Sequence, residues 1–188
     1  MAIEKVLTPE VLAMIGKESS TASGPDEVCK SETRRWVQAT MDDNPLWYDE
    51  EFAKKTKFGT GCVPVPYALR AVGFYRKPMG SPDLPRSKGA DDDVRGDLET
   101  ENEIRIPWPA GMAEFHAGDE VEYFQMPRAG DIISVKSRIM NIIEKTGRSG
   151  KLGISFVDRT YTNQKGEILA INHHTSIARE MQGKAWHK

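Results

Sequence analysis

From Pro109 onward, apolar and polar residues alternate with the two-residue period of β-strands. Four runs carry the pattern: Glu114–Gln125, with Val121 and Tyr123; Asp131–Lys145, containing IISVKSRIMNIIEK; Lys151–Asn163; and Glu167–Ala178. Turn-forming residues separate them at Ala129-Gly130-Asp131, Gly147–Gly150 and Asn163–Gly166. The spacing predicts four successive strands joined by short turns into an antiparallel meander.

The first half of the chain has a different rhythm. Thr8-Pro9-Glu10 places a cap before a proline at the first helical position, which predicts a helix over 8–16 ending at Gly16. Residues 17–28 are polar and read as a connection poor in strand. Ser31-Glu32-Thr33 opens a second helix, with Trp36, Val37 and Thr40 at helical spacing. It stops before Asp42-Asp43-Asn44-Pro45, since the residue before a proline is pushed out of the helical region. Residues 49–55 form a short helix with acids first and lysines last, as the helix dipole favours. Gly59-Thr60-Gly61 breaks it, and the apolar run that follows predicts a buried helix over 66–75. Residues 76–103 are rich in Pro, Gly and acids and poor in apolar residues, so they read as an exposed loop excursion inside one domain spanning 1–188. Helices segregated upstream of a single antiparallel sheet give an α+β class.

Composition narrows the functions. The formal net charge of −2 gives no global attraction to nucleic acid or to an anionic membrane. No run approaches the roughly 20 apolar residues needed to cross a bilayer, and the N-terminal stretch lacks the apolar core of a signal peptide. Cys29 and Cys62 form no C-x-x-C pair, which suits reduced thiols and a cytoplasmic protein.

The most suggestive chemistry lies in 39–53. A turn carrying Asp42, Asp43 and Asn44 suits either of two roles: presenting carboxylates and an amide to a ligand, or capping the next helix. His173 and His174 are neighbours in a strand and face opposite sides, so they are not expected to share a metal, and no metal site is expected. Gly59-Thr60-Gly61 is no dinucleotide fingerprint, because no strand precedes it and the third glycine is missing. Arg148 and Lys151 belong to a hairpin turn, where they either meet solvent or touch phosphate. Trp36, Trp47, Tyr67 and Phe74 are assigned to a core or a tunnel wall, and His187 lies in the terminal tail.

The order of elements, the run Met41-Asp42-Asp43-Asn44-Pro45-Leu46-Trp47-Tyr48-Asp49, and the segment from His116 to Ala170 resemble the MaoC-like hydratase branch of the hot-dog superfamily. Within it they are similar to the N-terminal, FAS1-like dehydratase type. The family's motif runs Gly-Asp-x-Asn-Pro-Leu-His-x-Asp. The resemblance implies a hot-dog fold, an antiparallel sheet wrapped around a central helix. It also implies water addition to a trans-2-enoyl thioester, or the reverse, with acyl-CoA or an acyl carrier protein thioester as substrate and no cofactor. In the family, an Asp and a His handle the water while backbone amides at the start of the central helix meet the developing enolate charge.

The carried-over residues are Asp42 and Asn44 as catalytic, and Trp47, Gly61, Val63 and His116 as substrate-binding. Two departures matter. Trp47 stands in the histidine position, where an indole cannot accept a proton, and Met41 replaces the glycine. Pro64 and Pro66 further remove two backbone donors. The resemblance therefore implies a hydro-lyase subunit that shapes the acyl pocket and pairs with a complete MaoC-like hot dog. The alternatives are a self-sufficient homodimeric hydratase using Asp42, with His116 as substitute base, and a non-catalytic acyl-thioester binding protein. Residues 76–103 are long enough to serve as a lid over a bulky acyl group.

Overall fold

The computed structural model describes residues 5–24, 26–66, 68–69, 104–147 and 150–180. The predicted excursion at 76–103, most of the predicted helix at 66–75, and Tyr67, Phe74, Arg148 and His187 lie outside them.

Helix α1 (Pro9–Leu12) is shorter than predicted. The Gly16 N–H donates to the Ile139 carbonyl at 2.8 Å, which draws the chain off the helix and along the sheet. The 17–28 connection is likewise not free of strand: Ala22–Ser23 (β1) pairs with Val135 and Ser134, and Glu18 bridges Arg138. Helix α2 (Lys30–Thr40), a 3-10 turn (Pro45–Trp47) and α3 (Glu50–Lys54) follow, close to their predicted places.

Four long strands form the body of the sheet: β2 (Met112–Tyr123), β3 (Ser134–Gly147), β4 (Gly150–Thr162) and β5 (Ile168–Glu180). Their order is β1-β3-β4-β5-β2, all neighbours antiparallel. This corrects the predicted meander, which holds only for β3 to β5. Strand β2 pairs with β5, the last in sequence, and not with β3. The link between β2 and β3 is too long for a hairpin: its Val63–Pro127 and Gly61–Ala129 backbone bonds, at 3.0 and 2.9 Å, carry it across to the glycine turn.

One face of the sheet is buried. Ile139, Ile142, Ser155, Tyr161, Ala170, Ser176 and Ala178 occupy it. Val11 and Trp108 pack over Ile139 and Ile142, while Val28, Val63 and Ala68 pack over Tyr161, Leu169 and Ala170. Each fully buried aliphatic side chain contributes about 1.5–3 kcal/mol. Residues 65, 66, 68 and 69 are helical, and the Ala68 N–H closes the first turn on the Pro64 carbonyl at 3.1 Å. Ala68 is fully buried, so the start of the central helix sits close against the sheet. Curled antiparallel sheet and central helix make this a hot-dog fold.

Candidate functional site

The site grows from the end of α2. Met41 closes that helix in the left-handed region, at φ 54°, and is the one non-glycine residue with positive φ among the described residues. Such a residue at a helix end is usually glycine, which has no Cβ to clash. The reversal aims the next residue, Asp42, back across the turn.

Both oxygens of Asp42 are engaged. Oδ1 accepts the Asn44 N–H at 3.1 Å, and Oδ2 accepts the indole N–H of Trp47 at 2.8 Å. Asn44 caps the 3-10 turn, its side-chain oxygen accepting the Leu46 N–H at 3.1 Å. Asp49 caps α3 in the same way, through the Phe52 N–H at 2.9 Å. The Asp42 carboxylate and the Asn44 side-chain oxygen thus bond to the turn's own backbone and to Trp47.

Beside the turn lies a pocket of about 190 Å³. Three of the expected residues, Trp47, Gly61 and Val63, line it together with Thr33, Leu46 and Cys62. Asp42, Asn44 and His116 are not among its lining residues. Lys30 and Glu50, also in the wall, pair at 3.3 Å. Thr33 and Cys62 escaped the sequence reading. Thr33 passes as an ordinary helix residue, and Cys62 had only its place beside Gly61 to mark it. Burial pushes the Cys62 thiol up, against the opposing pull of Arg128, so it is a neutral group whose Sγ sits 3.3 Å from the Phe58 carbonyl.

The glycine turn is held open by backbone conformation and by one arginine. Gly59 and Gly61 have φ of 69° and 78°, and a Cβ added to Gly61 would meet nothing within 4 Å, so the main chain there is uncrowded. The Arg128 guanidinium clamps the turn, donating to the Phe58 carbonyl at 2.7 Å and to that of Thr60.

Backbone donors are scarce beyond it. The Val63 N–H is spent on Pro127, Pro64 and Pro66 have none, and the Ala68 N–H is spent within the helix. The start of a helix normally offers several free N–H groups to an anion. Here, among the described residues, Pro64 and Pro66 have none and the Val63 N–H is used.

His116 lies elsewhere, on β2. Its Nε2 is 3.7 Å from Asp119 Oδ2, and its ring stacks on His174 at 5.3 Å between centroids. His173 and His174 do face opposite sides: His173 Nδ1 meets Asp158 at 2.7 Å, and His174 Nδ1 meets Asp119 at 2.8 Å. Lys151, beside the β3–β4 turn, pairs with Glu144 at 3.0 Å. No helix among the described residues is long and apolar enough to cross a membrane.

A family description, "FAS1-like, dehydratase domain region", matches residues 13–172. A protein of Thermomonospora curvata named "Probable enoyl-CoA hydratase alpha subunit" is 28% identical over 149 residues, covering 78% of this chain and 43% of that protein. The chain thus spans less than half the length of that relative. Among solved structures, the ChsH1–ChsH2 complex from Mycobacterium tuberculosis superposes with a TM-score of 0.65 at 18% identity, covering 93% of this chain and 90% of that one. A MaoC-like dehydratase from Rhodospirillum rubrum superposes with a TM-score of 0.55 at 15% identity, covering 90% and 94%.

Proposed function

This chain belongs to the FAS1-like dehydratase domain family, and from that premise we propose that it is the acyl-pocket subunit of an enoyl-CoA hydratase or 3-hydroxyacyl-thioester dehydratase, paired with a second, catalytically complete hot-dog subunit. The observation that carries the reading is the bond from Trp47 Nε1 to Asp42 Oδ2, at 2.8 Å. Hydration of an enoyl thioester needs one group to take a proton from water and another to give one to the α-carbon. Where the family places a histidine, this chain has a group that only donates, and it donates to the remaining carboxylate.

Charge stabilisation is short in the same place. The developing enolate needs two or so aligned N–H donors, while the Val63 N–H in the pocket wall is spent on Pro127 and Pro64 and Pro66, at the helix entry, have none. What this chain does retain is shape: a recess of mixed wall, where Trp47, Leu46 and Val63 meet Thr33, Lys30 and Glu50, next to a main chain uncrowded at Gly61. That recess suits an acyl chain whose reacting carbons lie on a partner. The relative named as an alpha subunit, and the two-component complex, are heteromeric precedents of this kind. Strand β2, last in the sheet, leaves one edge for a partner to extend.

The test is hydration of a medium-chain trans-2-enoyl-CoA, followed by loss of enoyl absorbance. The expected result is no turnover by the chain alone and turnover on co-expression with a complete MaoC-like subunit. Turnover by the chain alone would overturn the proposal and leave the homodimeric hydratase. Thioester binding without turnover even beside the partner would leave a binding protein.

A further inference from the structure

Strand β2 breaks its own alternation at Ala117. His116 lies opposite Ser176, yet the next paired residue, Gly118, lies opposite Thr175. In a regular strand, residues three apart face opposite sides. The extra residue of this bulge brings His116 and Asp119 onto one side of the sheet, and His174, opposite Asp119 on β5, faces that side too. Two imidazoles and a carboxylate gather there. His174 Nδ1 is 2.8 Å from Asp119 Oδ1, His116 Nε2 is 3.7 Å from Asp119 Oδ2, and one ligand atom from each residue lies within 4.8 Å of the others.

We propose that His116, Asp119 and His174 form a binding site for a divalent first-row transition ion, Zn²⁺ foremost, with its remaining positions open. Two neutral imidazole nitrogens and one carboxylate oxygen are a donor set for such ions, whereas Mg²⁺ and Ca²⁺ take oxygen ligands throughout. Three protein ligands leave at least one position for water or another ligand.

The geometry needs a modest adjustment. Ligand atoms about 2.0–2.2 Å from a tetrahedral zinc stand roughly 3.3–3.6 Å apart. One ligand atom from each residue already lies within 4.8 Å of the others, so the 61%-exposed His116 side chain turns inward and the 2.8 Å hydrogen bond between His174 Nδ1 and Asp119 Oδ1 gives way to the ion.

A second observation points to a ligand at the same place. The side-chain oxygen of Asn172 is buried without a hydrogen-bond partner, although its residue bonds to Asp119. An orphaned buried acceptor costs about 1–3 kcal/mol. A water on the ion's open position, acidified by the metal, is a donor of the required kind. Asn172 would then orient Asp119 from behind, as outer groups do in metal sites. The ion would join β2, which supplies two ligands, to β5, which supplies the third. This inference does not depend on the proposed hydratase role.

The test uses the full chain, without an affinity tag, stripped with a chelator and titrated with Zn²⁺ by calorimetry and with Co²⁺ by visible absorption. One ion per chain is expected, with the intense bands of four- or five-coordinate Co²⁺. His116→Ala, Asp119→Ala and His174→Ala should each weaken binding by about 100-fold or more, and Asn172→Ala by roughly tenfold. His173→Ala, one residue away on the other face, should bind as the parent does. Circular dichroism and the urea midpoint establish that each variant is folded. Binding no tighter than millimolar by the parent chain, or binding that survives both His116→Ala and His174→Ala, would overturn the site.

Discussion

The indole N–H of Trp47 and the carboxylate of Asp42 form a 2.8 Å hydrogen bond where a hydratase needs a proton acceptor beside a proton donor. The pair is a brace, tying the end of α2 to the 3-10 turn that walls the pocket. Trp47→Phe keeps the ring and removes the donor. It should lower stability by about 1–2 kcal/mol, in the range for a hydrogen bond to a charged group that is partly solvated. Asp42→Ala should cost a similar amount and leave turnover of the proposed two-subunit enzyme within about threefold, since a brace acts on no proton. Urea denaturation with a hydration assay checks both. A fall in turnover of the assembly by orders of magnitude for Asp42→Ala would make Asp42 catalytic after all.

Met41 bears on the same turn. A side chain at φ 54° carries a cost of about 1–2 kcal/mol, while glycine's extra freedom in the unfolded chain costs about 0.5–1 kcal/mol. Met41 is almost wholly exposed, so little packing is lost with it. Met41→Gly should therefore raise stability by up to about 1 kcal/mol, read as a higher urea midpoint at unchanged slope. An unchanged or lower midpoint would show that Met41 packs in solution in a way its exposure does not suggest.

Much of this architecture was legible in the sequence, and the exceptions have physical causes. The strands β3 to β5 and the helices around Asp42 followed from period and turn chemistry. The partner of β2 did not, because its ladder joins residues as far apart in sequence as Met112 and Glu180. The two-residue β1 is too short to carry a period. Of the four residues that the resemblance assigns to substrate binding, Trp47, Gly61 and Val63 line one pocket, while His116 lies outside it on β2. The meeting of His116 with Asp119 and His174 was missed because regular alternation separates residues 116 and 119. Gly118 inside a strand was the available signal, since an isolated strand glycine often marks a bulge.

Gly153 lets the N-terminal segment and Trp108 cover the sheet. A Cβ there would run into the Trp108 ring and stand 2.9 Å from Val6 Cγ1. Gly153→Ala should thus destabilise by about 1–3 kcal/mol, the usual range for overpacking a core, despite alanine's better fit to a strand. Thermal unfolding measures it. Retained stability together with a shifted Trp108 emission would mean that the ring swings aside at little cost.

His173 gives stability an alkaline slope. Its bond to Asp158, with the nearby charges of Asp158 and Glu122, outweighs burial and raises its pKa above the ordinary histidine value of 6.5. A group raised on folding stabilises fully below its unfolded pKa, and that contribution is lost as pH rises through the folded value. His173→Gln should remove the slope above about pH 6.5 and leave stability above the raised pKa close to the parent's. Parallel curves for the two proteins across that window would refute the assignment.

Glu144 acts at the other end of the scale. Its Oε2 accepts the Val6 N–H at 2.8 Å and its Oε1 pairs with Lys151 at 3.0 Å, so one carboxylate pins the N-terminal segment to β3 and the hairpin arm of β4. The backbone bond from Val6 is the larger influence and Lys151 the next, and together they hold the carboxyl below its usual 4.5. A carboxyl depressed on folding stabilises above its unfolded pKa, and the contribution is lost as pH falls through the folded value. Glu144→Gln should therefore lower the urea midpoint at neutral pH, with the gap closing once both proteins are taken below the folded pKa. Val6 is fully buried in the parent, so the loosening should also speed exchange of the Val6 and Val11 amides at neutral pH in the variant. A gap that stays constant with pH would mean that Glu144 acts through shape, and that its charge does not hold the segment down.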